Sequence, residues 1–161
     1  MVRATVPQTA DEDFAAAFIK CGMRLSTVQA LTGISPRRLR VLYKSIHGRS
    51  SSPARTPGHS HASIRSFGQS LEVSEFIKYY DSTACRQGYD SGSWRSLNPK
   101  VLLDSYSFYV RMTKFPININ LAFEIIRDIC GGRLSIRTCA SCGSLYPFAL
   151  ESQALNKCPM C

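Results

Sequence analysis

Acidic residues are missing from about a third of this 161-residue chain. No Asp or Glu occurs between Phe14 and Leu71, although that stretch carries nine basic residues. The other 11 of the 20 Lys and Arg residues are matched by 11 Asp and Glu, so the formal net charge of +9 belongs to this one stretch. A separated positive charge of this kind is typical of proteins that bind a polyanion, most often nucleic acid.

Long apolar runs are missing as well. No segment approaches the roughly 18 apolar residues that cross a membrane, and the opening residues, MVRATVPQTADED, lack the apolar core of a secretion signal. We therefore expect a protein that is neither membrane-bound nor exported and that stays in the cytoplasm. Hydrophobic residues still make up 44% of the chain, which is enough to build a core and disfavours global disorder.

Apolar residues at helical spacing, together with helix end signals, predict six helices. Ser35-Pro36 marks the start of the third and Asn98-Pro99 the start of the fifth, because Ser or Asn suits the N-cap and Pro the first turn. A short strand is predicted at 134–136. The predicted helices span about 12–22, 26–32, 36–47, 71–86, 98–114 and 118–130.

The predicted fold class is mainly α, with a helix-turn-helix in the N-terminal part and a small C-terminal four-cysteine module resembling a zinc ribbon. Four regions follow from the composition. They are a helical region with the helix-turn-helix at 1–48, a basic Ser/Pro-rich loop at 49–68, a helical core at 69–132 and the cysteine module at 133–161.

Residues 24–44 match a helix-turn-helix, with Gly33 at the turn. At about 100° per residue, the second helix of this pair separates into two faces. Arg38 lies on the shoulder between them. The apolar face holds Leu39, Leu42, Tyr43 and Ile46, and the opposite face holds Arg37, Arg40, Lys44 and Val41. This arrangement suits a recognition helix in the major groove, where Arg binds guanine edges and Lys binds phosphate.

Other interpretations of the basic stretch remain open. A basic helix face is often only a solvated face, and many helix pairs match the pattern by chance. The loop at 49–68 carries Arg49 and Arg55, which are candidates to follow the DNA backbone or enter a minor groove, but a solvated linker is an equal alternative. His47, His59 and His61 are interpreted as ordinary polar histidines rather than metal ligands.

Four of the seven cysteines form the most specific motif in the chain. Cys139 and Cys142 precede Cys158 and Cys161 in a C-x2-C-x15-C-x2-C pattern. Each C-x2-C turn places two thiolates on one side of a tight knuckle, and two facing knuckles complete a tetrahedron that favours structural zinc. Gly143 follows the first knuckle, where a positive φ is usually needed.

An iron–sulfur cluster and four unrelated buried cysteines are the alternatives for this motif. The odd cysteine count disfavours a disulfide framework. Cys21, Cys85 and Cys130 are interpreted as small buried hydrophobic residues.

Three segments resemble the FlhC family, the flagellar master transcriptional regulators that work with FlhD. They are LSTVQALTGISPRRLRVLYKSIHG, NPKVLLDSYSFYVRM and the block INLAFEIIRDICGGRLSIRTCASCG…CPMC. The resemblance covers about residues 14–161. The cysteine block with its preceding helix is the most specific part.

The resemblance implies a mostly helical subunit of a hetero-oligomer with FlhD, which binds promoters of flagellar operons and recruits RNA polymerase. By the same resemblance Cys139, Cys142, Cys158 and Cys161 are zinc ligands. The residues implied to face DNA are Arg37, Arg38, Arg40 and Lys44. The aromatic face of the helix at 98–114 is favoured as core packing, and only the resemblance makes it a candidate partner surface; it carries Tyr106, Phe108 and Tyr109.

Two other classes of function compete with a DNA-binding activator. One is a zinc module that binds nucleic acid without sequence preference or that serves in assembly. The other is an enzyme such as a nuclease, which the sequence disfavours. Asp104, Glu124 and Asp128 show no ligand spacing, and a four-thiolate site leaves no open metal position.

Overall fold

The computed structural model describes residues 10–52, 60, 63–92, 94–150 and 152–161. The chain divides into two compact units, an N-terminal unit (Met1–Arg55) and a C-terminal unit (Thr56–Cys161). The described residues form six helices and one two-stranded sheet, followed by a cluster of four cysteines. The predicted mainly helical fold class with a small cysteine module is therefore confirmed.

Three helices make up the described part of the N-terminal unit: α1 (Ala10–Lys20), α2 (Leu25–Thr32) and α3 (Pro36–His47). Each helix contacts the other two. Their shared core is small and mainly apolar, and it includes the polar residue Thr27. Its buried apolar side chains are Ala15, Ala16, Phe18, Ile19, Met23, Val28 and Leu39.

Local end signals set the bounds of these helices. Helix α1 ends at Lys20 rather than Gly22, because Gly22 adopts φ 84° and donates its N–H to the Ile19 carbonyl, while Met23 N–H reaches the Phe18 carbonyl. These two hydrogen bonds are typical of a helix that ends at a glycine. The bounds of α3 agree with the prediction, since the Ser35 hydroxyl accepts the Arg38 N–H at 3.4 Å and Gly48 closes the helix with φ 69°.

The C-terminal unit contains α4 (Phe67–Arg86), α5 (Pro99–Met112), α6 (Ile119–Cys130), β1 (Ser135–Thr138) and β2 (Leu145–Phe148). Helix α4 packs against α5 and β2, and α5 contacts α6. An aromatic cluster fills the space between α4 and α5, with the Phe76 and Tyr109 rings 5.5 Å apart.

Two tyrosine hydroxyls hold the connection between α5 and α6. Tyr106 donates to the Ile117 carbonyl at 3.0 Å, and the Ile117 N–H donates to the Tyr109 hydroxyl at 3.1 Å. Both tyrosines are buried, so core packing is the correct interpretation of these two aromatics. Phe108 differs, since it stays exposed, and its ring lies 5.5 Å from that of Tyr79 in an edge-on arrangement.

The fourth helix begins earlier than predicted, within the last residues of the predicted loop at 49–68. Helix α4 begins at Phe67, four residues before the predicted start at Leu71, because the Ser66 hydroxyl caps it by accepting the Gln69 N–H at 3.2 Å. Within the same loop Ser60 is fully buried, and its N–H donates to the Asp128 carboxylate at 2.8 Å. Ser60 is therefore anchored to α6.

A hairpin carries the first cysteine pair. Strands β1 and β2 are antiparallel, with Ser135 opposite Phe148 and Arg137 opposite Tyr146. Only β1 was predicted, at 134–136, and β2 was missed. Strand β2 is the more buried of the two, because it packs on α4. No helix in the described ranges is long and apolar enough to cross a membrane.

Candidate metal centre and nucleic-acid interface

The four cysteines of the C-x2-C pairs converge at one point. Their Sγ atoms all lie within 4.8 Å of one another. Sulfurs from different pairs are close, with Cys139 and Cys161 at 3.6 Å and Cys142 and Cys158 at 3.7 Å. In a tetrahedral zinc site with zinc–sulfur bonds of about 2.3 Å, sulfurs lie about 3.8 Å apart. The donor set and its spacing therefore fit a metal ion, and the four residues could hold one.

The first knuckle is built by the turn after β1. The Gly143 N–H donates to the Cys139 carbonyl at 2.9 Å, and the Cys139 N–H donates to the Ser144 carbonyl at 2.9 Å. Gly143 has φ 71°, the conformation that the sequence predicted for this position. In the second knuckle the Met160 N–H donates to Cys158 Sγ at 3.4 Å. Such N–H donors stabilise sulfur that carries negative charge.

Hydrogen bonds also favour thiolate on the first pair. The hydroxyl and N–H of Ser144 lower the pKa of Cys142 to about 6. The N–H groups of Cys142 and Ser141 lower the pKa of Cys139. By contrast the neighbouring thiols, Cys142 foremost, raise the pKa of Cys161 to about 12. Four thiolates this close repel one another, so a bound cation is what allows all four to be deprotonated.

The other three cysteines stand apart from this cluster. Cys21 and Cys130 are half-buried, and burial raises the pKa of both thiols, that of Cys130 to about 11. Cys85 is exposed, so its interpretation as a buried hydrophobic residue is wrong. It lies on the solvent side of the last turn of α4.

The second candidate site is the exposed face of α3. Arg37, Arg40 and Lys44, here called the basic ridge, are all exposed. On the other side of α3, Leu39 is fully buried, while Leu42, Tyr43 and Ile46 are half-buried. Helix α3 thus packs one side on α1 and α2 and presents the basic ridge to solvent.

Arg38 is placed differently from the three ridge residues. Its Nε lies 2.6 Å from Oε1 of Glu12, and its Nη2 lies 2.9 Å from Oε2 of the same carboxylate. This two-point ion pair joins α3 to α1. It raises the pKa of Arg38 and lowers that of Glu12, the hydrogen bonds contributing most. The resemblance counts Arg38 among the DNA-facing residues, whereas in the structure its guanidinium binds Glu12 and joins α3 to α1.

The remaining basic candidates lie beyond α3. Arg49 is exposed just after Gly48, and Arg55 lies outside the described residues. His47 joins α3 to α1, because its Nε2 lies 3.2 Å from the Ile19 carbonyl oxygen. His59 and His61 lie outside the described residues.

An open cleft beside the basic ridge was not predicted from the sequence. It measures about 790 Å³ and lies between the start of α2 and the exposed face of α3. Arg40, Val41 and Lys44 line one side, and Ser26 and Gln29 of α2 line the other. The sequence shows that α2 carries polar residues. Whether those residues face α3 across a cleft depends on how the helices pack.

Buried carboxylates do not form a second metal or catalytic cluster in the described ranges, where the four cysteines are the single group of this kind. Asp128 is fully buried, and its Oδ1 accepts from Arg127 and Arg133 at 2.9–3.0 Å. Burial raises the pKa of Asp128, but the hydrogen bonds, that from Ser60 N–H first, outweigh it and lower the pKa overall. Asp128 is thus a structural anchor.

A family model described as flagellar transcriptional activator (FlhC) matches residues 1–161, the whole chain. The chain belongs to the FlhC family. The predicted resemblance is therefore confirmed, and the protein is a member of a family of flagellar transcriptional activators rather than of an enzyme family. No curated protein matches the chain.

Proposed function

We propose that this FlhC-family protein is a DNA-binding subunit of a flagellar transcriptional activator, acting in a complex with FlhD. The observation that carries the proposal is the basic ridge. Three cations stand exposed on one face of α3, in a stretch of the chain without acidic residues, while the other face is packed on α1 and α2. None of the three forms an ion pair with another described residue.

Helix α3 enters the major groove in this proposal. Its 12 residues make a rod about 18 Å long, enough to lie along one groove. Arg40 stands near the middle of the rod and is our candidate to bind guanine O6 and N7 with both arms of its guanidinium. Lys44 and Arg37 bind flanking phosphates, and Arg49 and Arg55 extend the contact along the backbone.

Arg38 supports this interface without touching DNA. Its two bonds to Glu12 fix the rotation of α3 about its axis relative to α1. That rotation determines which side chains point outward, and therefore whether Arg40 and Lys44 face the groove together. We assign Arg38 a positioning role.

We also propose that the four-cysteine cluster holds one structural Zn²⁺. Bound zinc would link the turn after β1 to the last residues of the chain, since each supplies one C-x2-C pair. The ion supplies folding energy and no catalytic chemistry, because four thiolates occupy every coordination position. Ser144 and the knuckle N–H groups hold the thiolates in place.

FlhD and RNA polymerase are the proposed protein partners. The support in this chain is an exposed apolar strip on α5 and just after it, formed by Phe108, Met112 and Phe115, which are 48%, 61% and 74% exposed. Exposed apolar side chains grouped in this way are typical of a surface that a partner covers. Promoter DNA and RNA polymerase both lie in the cytoplasm, where we place the complex.

Promoter binding is tested by titrating the complex with FlhD into a labelled flagellar promoter duplex and into a scrambled duplex, at near-physiological salt. We expect a large preference for the promoter and an affinity that falls steeply with salt. Equal affinity for both duplexes would contradict the activator proposal and favour the second candidate, a module that binds nucleic acid without sequence preference. The acid-free stretch is the observation that supports this second candidate.

A further inference from the structure

A single apolar side chain stands in the middle of the basic ridge. Val41 is 57% exposed, and it follows Arg40 directly on α3. Arg37 lies four residues before it and Lys44 three residues after it, so all four side chains share one helix face. Val41 is thus surrounded by the cations proposed to bind DNA.

Fold stability does not account for valine at this position. The side chain projects away from the core of the N-terminal unit, whose contact on α3 is the fully buried Leu39. An exposed β-branched residue also has a lower helix propensity than the Arg and Lys residues beside it. A residue that contributes neither burial nor propensity here is better explained by a contact outside the chain.

The cleft beside α3 gives Val41 a mixed polar and apolar setting. Arg40, Val41 and Lys44 line this cleft together with Ser26 and Gln29 of α2. These neighbours offer cationic, hydroxyl and amide groups, which bind phosphates and the polar edges of bases. Val41 adds an exposed apolar side chain of α3, and Met23, Leu25, Pro36 and Tyr43 line other parts of the cleft. A ligand that matches the basic ridge and Val41 together is polyanionic and carries a small apolar group.

Thymine is the DNA base that meets this requirement in the major groove. Its 5-methyl group is apolar and projects into the groove, and it distinguishes thymine from every other base. We propose that Val41 contacts the 5-methyl group of a thymine beside the base bound by Arg40, and so is a specificity-determining residue. This inference rests on the proposed function, because it requires α3 to lie in the major groove.

The test replaces thymine by deoxyuridine in the promoter duplex, one position at a time. This change removes only the 5-methyl group and keeps the charge and base pairing. We expect one or two positions per site at which the complex with FlhD binds about fourfold more weakly, the effect of exposing one methyl group. The Val41→Ala variant, which loses the two γ-methyl groups of valine, should show a clearly smaller difference between the thymine and deoxyuridine duplexes at those positions.

Val110→Ala is the matched control, since Val110 is also an exposed helical valine, 40% exposed on α5, but lies in the C-terminal unit. This variant should keep the thymine dependence of the wild type. Circular dichroism melts of both variants check that the fold is intact.

The outcomes separate the two proposals. If the promoter is preferred over the scrambled duplex but no deoxyuridine position weakens binding, the role of Val41 is overturned and the activator proposal stands. The same holds if Val41→Ala keeps the full thymine dependence. If promoter and scrambled duplexes bind equally, the activator proposal fails and the role of Val41 fails with it.

Discussion

Arg38 and Glu12 form a two-point ion pair across 26 residues of sequence, with Nε–Oε1 at 2.6 Å and Nη2–Oε2 at 2.9 Å. The pair joins the first turn of α3 to the first turn of α1. Paired guanidinium and carboxylate groups have a preferred planar geometry, so the contact restrains direction as well as distance. It therefore links the helix that carries the basic ridge to α1.

Glu12→Gln should lower the melting temperature of the N-terminal unit at neutral pH, because the charge-assisted pair is lost. In the wild type Arg38 holds the pKa of Glu12 below its ordinary value of 4.5. A lowered pKa stabilises the fold above that ordinary value, and the stabilisation is lost as pH falls through the folded-state pKa. The difference in melting temperature between wild type and Glu12→Gln should therefore shrink as the pH falls below 4.5 and through the lowered pKa of Glu12.

The matched control for this pair is Asp13→Asn, which changes the charge of a neighbouring exposed carboxylate on α1. Circular dichroism melts across the pH range measure all three proteins. If Asp13→Asn and Glu12→Gln had the same pH profile, the ion pair would not be the cause.

Arg40→Ala should reduce the preference for the promoter over a scrambled duplex. A bidentate contact between Arg and guanine contributes about 1–3 kcal/mol of base discrimination. Lys20→Ala removes one charge from the same unit, at the exposed end of α1. This variant should bind both duplexes slightly and equally more weakly. Fluorescence anisotropy with both duplexes measures the two variants, and an unchanged preference in Arg40→Ala would exclude it as a base contact.

Cys158→Ser should lower the metal content from about one zinc ion per chain to almost none, because three thiolates hold zinc much less tightly than four. The turn after β1 and the last residues should then become sensitive to protease. Cys85→Ser is the control, since Cys85 is exposed and lies outside the cluster. Elemental analysis of both purified variants measures the zinc content per chain. A zinc-loaded Cys158→Ser protein would refute the ligand assignment.

Asp128→Asn should destabilise the C-terminal unit by about 1–3 kcal/mol, the usual effect of removing a partner from a buried hydrogen-bonded network. Asp128 binds Arg127, Arg133 and the Ser60 N–H, and it lies where α6 leads into the hairpin. The exposed pair of Asp104 and Lys100 offers a control, and Asp104→Asn should change stability by less than about 0.5 kcal/mol. Urea denaturation of both variants measures the difference.

Replacing Met112 and Phe115 together by Asp should weaken binding to FlhD, because a charged group cannot be buried cheaply in an apolar interface. Both side chains are exposed, so the fold of the isolated chain should be unaffected. Leu150→Asp is the control, at a residue that is 80% exposed outside the apolar strip. Co-purification with tagged FlhD measures binding, and equal recovery of both variants would contradict this assignment.

Local signals in the sequence were sufficient for most of the helices. Ser35, Pro36 and Gly48 bound α3 because capping and glycine stops depend on neighbouring residues alone. The separation of Arg40 and Lys44 from Leu39 follows from the helical repeat, which is equally local. The predicted four-cysteine motif likewise depends on its spacing, and Gly143 at the first knuckle has the positive φ that this turn needs.

Contacts between distant residues required the tertiary structure. The sequence placed Arg38 among the DNA-facing residues, and only the packing of α1 against α3 brings Glu12 to its guanidinium. Strand β2 was missed because its burial comes from α4 rather than from an alternating pattern of its own. The hydrogen bond between Ser60 and Asp128 joins residues 68 positions apart in the sequence. No local rule could place a serine from a polar loop against α6. Short-range propensity sets helix ends and knuckles, whereas side-chain pairing across the fold depends on how whole elements pack.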